Sequence, residues 1–181
     1  MRGFVVAALA AFFTGSSFVY ADVQSGPLVG PVPSAVKVFV TTGDAAGKEV
    51  DVVADRAAKP TLVAFVPAEK WGRPTGRFFR ELDAGLKEIP QSQLVVVWLS
   101  ADHAASREYL PKAQMSLKFE STVLTDFTGD AGGPPEWGIN GQADLTVVAI
   151  RDGKVLKSWG FVSVNETLAK DVLSTLKDGP K

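Results

Sequence analysis

The chain has 181 residues, 46% of them hydrophobic and 22% charged, with a formal net charge of −1. That length and apolar content fit one globular domain with its own core and exclude a disordered chain, while the charge balance gives no electrostatic case for nucleic acid. Cysteine is absent, which excludes thiol catalysis, disulfide exchange and thiolate metal sites in this chain.

Residues 1–21 read as an export signal: Arg2 supplies a short positive region, residues 4–13 an apolar stretch, and Val19-Tyr20-Ala21 small residues at the minus-three and minus-one places of a cleavage site after Ala21. The apolar run is short for a bilayer span, with a retained anchor as the alternative. Cleavage leaves a formal charge of −2 and predicts a periplasmic or extracellular protein with no further membrane span. Pro27, Pro31 and Pro33 mark residues 22–33 as an extended linker or arm. Residues 36–41 alternate apolar and polar side chains, residues 43–48 form a turn, and residues 49–53 make a second strand, together a hairpin. Gly43…Gly47-Lys48 falls short of a phosphate loop by one spacer residue, and Glu49 stands in place of the Ser or Thr.

Residues 61–66 are an apolar, β-branched run that predicts a strand buried on both faces. A polar loop and Trp71-Gly72-Arg73-Pro74-Thr75 follow. Next comes a helix with Phe78, Leu82, Leu86 and Ile89 on one stripe, opened by Pro74 and closed by Pro90. Residues 94–99 read as a parallel neighbour of the first buried strand, joined to it through that helix. Ser100 or Asp102 caps a helix over residues 102–113, which Pro111 should kink or shorten. Beyond it lie a short strand at 121–124, a Gly/Pro loop at 128–135 and a third buried strand at 146–150. Asp152-Gly153 turns tightly into a strand at 154–159. Ser163…Glu166 forms a capping box for a last helix with the stripe Val164, Leu168, Val172 and Leu176, and residues 178–181 should fray.

The order is hairpin, β, α, β, α, β, β, α. The run Phe65…Trp71-Gly72-Arg73-Pro74-Thr75 resembles the thioredoxin-like signature, an apolar strand followed by Trp-Cys-Gly-Pro-Cys and a helix, with Gly72 and Thr75 standing where the two cysteines belong. The stretch GKEVDVVADRAAKPTLVAFV resembles the spacing of the N-terminal hairpin of envelope redoxins. EWGINGQADLTVVAIRDGKV resembles their Tyr-Gly-Val…Pro-Thr…Asp-Gly-Lys block. Over residues 34–177 the resemblance implies an α/β, thioredoxin-like fold of redoxin type, similar to alkyl hydroperoxide reductase/thiol-specific antioxidant and envelope thiol-disulfide oxidoreductase proteins. That fold has a central mixed sheet, helices on both faces and an N-terminal β-hairpin. The family's cis-proline is missing as well: Leu145, or Asp144, holds its place.

The leading candidate site is Trp71, Gly72, Arg73, Thr75 and Arg77, faced by Leu145. A helix N-terminus offers free N–H groups, and the two arginines add forked donors for a carboxylate or small anion. The bland alternative is a solvated helix start whose arginines pair with Glu69 or Glu81. Thr75 as a nucleophile needs a base, and His103, the one histidine, should lie near the same sheet edge, though it reads more simply as an exposed first-turn residue. Asp126, Asp130 and Glu136 form an acidic set without calcium-loop spacing. Trp71 and Trp137 line a groove or cover a core edge, and Asn165-Glu166-Thr167 is a formal glycosylation triplet in a helix start. These features predict an exported, redox-inactive module that binds a protein or peptide partner in the envelope, with no cofactor and no metal. The alternatives are a thiol-independent enzyme at the helix start or a purely structural domain of an envelope assembly.

Overall fold

The computed structural model describes residues 23–179, so the expected signal at residues 1–21 lies outside the described residues. Three apolar runs fold into strands at the heart of the sheet: β4 (Thr61–Pro67), β5 (Gln93–Leu99) and β7 (Leu145–Arg151). They are flanked by β1 (Gly30–Pro31), β2 (Lys37–Val40), β3 (Glu49–Asp51), β6 (Thr122–Phe127) and β8 (Lys154–Phe161) in one eight-stranded sheet ordered β1-β8-β7-β4-β5-β6-β2-β3. β4, β5 and β6 run parallel, while β7 opposes β4 and β2 opposes β6, so the sheet is mixed. Helices α2 (Arg73–Leu86), α3 (His103–Leu117) and α4 (Ala169–Asp178) pack on one face, and the short α1 (Val52–Arg56) lies on the other.

Alternation within the buried strands creates the two cores. Leu62, Ala64 and Val66 of β4 meet Phe78, Phe79 and Leu82 of α2 and Val172 and Leu176 of α4. Val63 and Phe65 turn the other way, onto Val95, Val97, Val148 and the wholly buried Trp137. The Phe65 and Trp137 rings meet edge to face at 5.3 Å.

Several element ends differ from the sequence expectation, each for a local reason. The strand expected over 49–53 stops at Asp51, whose Oδ1 accepts from the Val53 and Val36 amides, both at 3.0 Å, and caps α1 instead. α2 ends at Leu86 rather than at Pro90, and Ile89 reaches the core through a turn in which its amide donates to the Leu86 carbonyl. α3 continues to Leu117 despite Pro111: Asp102 caps it through the Ala105 amide, and Leu110 and Ala113 are buried on either side of the proline, so packing outweighs the missing N–H. Ahead of the last helix, Asn165 caps a 3-10 turn at Glu166–Leu168 by accepting from the Thr167 amide, in place of the Ser163…Glu166 box, and α4 itself has no side-chain cap. The Asp152-Gly153 turn forms as expected, both residues at positive φ.

The segment expected as a linker is extended but docked. The Val23 amide donates to the Gly160 carbonyl and the Gly26 amide to Gly138. Buried Ser25 shares a 2.6 Å hydrogen bond with Thr146 and accepts from the Asn140 amide. Gly160 makes room for this strap: a Cβ there would come within 2.2 Å of the Val23 carbonyl and 2.7 Å of Ser25 Cβ.

Two measurements check this architecture. Phe65→Ala should lose about 3–5 kcal/mol in urea unfolding through transfer and cavity terms, and a loss below about 1 kcal/mol would contradict its packing. Gly160→Ala should release the strap, seen as faster amide exchange at Val23 and Gly26 while β4 and β5 stay protected; unchanged exchange at Val23 would show that the strap does not depend on the glycine.

Candidate functional site

The site grows from the exit of β4. A single 3-10 turn, Ala68–Lys70, lifts the chain off the sheet to Trp71, and Gly72 forms the N-cap of α2 without a side-chain cap. Its φ of −161° is ordinary extended backbone, and a Cβ there would meet nothing closer than Pro74 Cδ at 3.6 Å. The position therefore accepts a side chain. Pro74 sits in the first turn, where its missing N–H costs nothing. Lys70 reaches Asp144 at 2.9 Å and ties this turn to the loop before β7. That hydrogen bond holds the exposed Lys70 ammonium above its ordinary pKa.

The structure brings some of the expected site residues together and separates others. Trp71, Gly72, Arg73 and Arg77 line a groove of about 630 Å³ between α2 and α3, joined by Arg80, Tyr109 and Leu117. Thr75, only 4% exposed, turns inward and lines none of it. Leu145 is a correction: expected on a loop facing the turn, it is the first residue of β7, paired with Phe161 and wholly buried with Phe78 and Phe79. An apolar side chain on the inner face of the sheet packs under α2 rather than meeting a ligand.

One wall of the groove is aromatic and fixed. Trp71 packs on Trp98 at 5.2 Å and on Phe79 at 5.8 Å, and its indole N–H donates to the Tyr109 hydroxyl at 2.9 Å. The other wall is basic. Arg73, Arg77 and Arg80 are exposed on one face of α2 and form no ion pair or hydrogen bond among the described residues, so the expected pairing with Glu69 or Glu81 is not made. Like charges at these spacings destabilise a helix by roughly 0.2–0.5 kcal/mol per pair. The first turn of α2 holds no acidic residue, although the helix dipole favours one there. Arg80 was legible as the next step of the Arg73, Arg77 spacing, whereas Tyr109 meets Trp71 only through the tertiary fold.

The other candidates resolve differently. His103 Nδ1 lies 3.1 Å from Asp126 Oδ1, and Arg107 Nε donates to Asp126 Oδ2 at 2.8 Å. His103 is thus engaged with Asp126, and no bond joins it to Thr75. Asp126 is fully buried in this cluster, while Asp130 and Glu136 are exposed elsewhere, so the three do not act as one acidic set. Arg107 also lies 4.0 Å over the Phe39 ring. Trp137 does not line a groove: it is core, its indole N–H donating to the Ser34 carbonyl. Asn165 spends its side-chain oxygen on the cap of the turn before α4.

A βαβαβββα core in the strand order given above, with a tryptophan-led turn at the start of α2, defines a thioredoxin-like fold. The chain is similar in structure to a DsbF homologue from Corynebacterium diphtheriae (TM-score 0.60, 13% identity, 91% of this chain and 99% of that one covered). It is also similar to a peroxiredoxin-like protein from Aquifex aeolicus (TM-score 0.55, 14%, 87% and 90%) and to an exposed lipoprotein thioredoxin from Streptococcus pneumoniae (TM-score 0.54, 15%, 80% and 99%). No protein-family model matches the chain, and no curated protein matches it in sequence. No helix among the described residues is long and apolar enough to cross a membrane.

If Gly72 and Thr75 occupy the two cysteine positions of this fold, Gly72→Cys with Thr75→Cys should close a disulfide under mild oxidant. Disulfides need Cα atoms about 4.4–6.8 Å apart, and residues three apart across a helix start meet that need. The reduced pair should hold one thiol that titrates below the ~8.5 of free cysteine, lowered by the helix N-terminus and Arg73. Two thiols that stay reduced and titrate normally would reject this alignment.

Proposed function

We propose that the chain is an exported thioredoxin-like domain that binds a protein or peptide partner in the envelope and performs no redox chemistry. One observation carries the reading: the turn that opens α2, aligned with the cysteine turn of this fold, carries Gly72 and Thr75 in a chain with no cysteine, and an open groove lies against it. Disulfide exchange and thiol-based peroxide reduction both need an attacking thiolate. Thr75 is a poor substitute nucleophile, being buried and with no hydrogen bond to His103 among the described residues. What the turn offers instead is a surface of arginines and aromatic rings, the residue types that anchor protein interfaces. Export is supported by the signal-like composition of residues 1–21 and by the likeness to an exposed lipoprotein thioredoxin.

The purified chain should neither accelerate insulin reduction by dithiothreitol nor turn over peroxide above a heat-killed control in metal-free buffer. Immobilised, it should retain a protein from an envelope extract of its source. Turnover in either assay would overturn the reading.

A further inference from the structure

We infer that the groove between α2 and α3 holds an acidic peptide segment of a partner in extended conformation, its carboxylates on Arg73, Arg77 and Arg80. This deepens the binding reading above and rests on it. The charge argument is local. The chain as a whole carries more acids than bases, yet three arginines stand on one wall of the groove, no Asp or Glu lines it, and none of the three has a partner among the described residues. Guanidinium groups left in water beside an apolar wall are forked donors that match carboxylates in pairs.

Spacing selects the occupant. At about 1.5 Å of rise per helical residue, Arg73 and Arg77 lie about 6 Å apart along α2, and Arg80 about 10 Å from Arg73. In an extended chain, side chains two residues apart point the same way and sit about 6.6–6.8 Å apart, close to the first interval. Acidic residues at alternate positions therefore meet the arginine wall while the residues between them face the opposite side. That side is Trp71, Tyr109 and Leu117, which suits an aromatic or aliphatic side chain. The Tyr109 hydroxyl is 2.9 Å from the Trp71 indole nitrogen and accepts its proton, so its own O–H remains to donate to the peptide. A single phosphate or carboxylate cannot use three arginines spread over about 10 Å. A flat bilayer would reach the exposed guanidinium groups but not enter the groove that they share with Trp71 and Tyr109. Thr75 and Leu145 lie outside this groove, so the segment would bind on the α3 side of the turn, away from β7.

The test is titration of the full chain with a capped heptapeptide of alternating Glu and Phe, followed by Trp fluorescence and calorimetry. Controls are the same peptide with Gln for Glu and vesicles of anionic phospholipid. We expect saturable binding of the Glu peptide, weaker by about tenfold or more for the Gln peptide or for Arg77→Ala with Arg80→Ala, and weakened by salt. Tyr109→Phe, which keeps the ring, should weaken binding severalfold; circular dichroism confirms that each variant is folded. Equal affinity for the Gln peptide, indifference to the arginine pair, no saturation at millimolar peptide, or binding to vesicles but not to the Glu peptide would each overturn the inference. With insulin and peroxide assays still silent, such a result removes the acidic segment alone. Turnover in those assays removes the binding reading, whatever the peptide does.

Discussion

Strand β4 has to be buried on both faces, and most of the molecule follows from that requirement. Its side chains alternate between two cores: Leu62, Ala64 and Val66 toward the helices, Val63 and Phe65 toward Trp137. A strand with no polar face must have neighbours on both edges to satisfy its backbone and a layer on each side to cover its side chains. β5 and β7 supply the edges, and α2 with α4 supplies one layer. The second layer is more economical: α1, the loop that carries Trp137, and the partly buried Val32 of the N-terminal strap cover it. Because β4 is fixed in this way, the turn that leaves it is fixed too, and Trp71 arrives on Trp98 and Phe79 in one position.

That frame was largely legible in the chain. The three apolar runs named the central strands, and the Asp152-Gly153 pair named the hairpin between β7 and β8. What stayed illegible depended on contacts between distant residues. Asp51 as a cap, and not a strand residue, shows only when its carboxylate is seen taking the amides of Val36 and Val53. Buried Asp83 looks in sequence like one more polar residue on α2, yet it accepts from the amides of Glu120 and Ser121 and the hydroxyl of Thr122, pinning α2 to the start of β6. Proline rules overstated the break at Pro111 because they weigh the local backbone and omit the burial of Leu110 and Ala113. At the site, Arg73 and Arg77 were read correctly as neighbours. Leu145 was misplaced because the family spacing suggested a loop where the sheet already begins.

Having no cysteine pair in this turn costs the fold little. A disulfide stabilises mainly by restricting the unfolded chain, and a loop closed between residues three apart removes little entropy. The thermodynamic weight of the turn lies in its surroundings: Pro74, Phe78 and Phe79 set α2 on the sheet. Thr75, with a small β-branched side chain at a buried position, fills space of about the size a cysteine would. The scaffold can therefore stand without a cysteine pair in the turn.

The arginines of α2 break the local rules of helix design. Residues that serve only stability tend to agree with local rules, and disagreements cluster where function is served. α2 places Arg73 at its positive end and repeats like charge at Arg77 and Arg80, against the dipole preference and against favourable pairing. Four lysines elsewhere are paired: Lys70 with Asp144, Lys87 with Glu120, Lys112 with Glu108 and Lys157 with Asp171. The stripe on α2 is unpaired among the described residues and shares its groove with Trp71 and Tyr109, which hydrogen-bond each other. Electrostatic strain within the free chain would become attraction if an anionic segment entered, so the same three side chains that weaken the helix alone would strengthen such a complex.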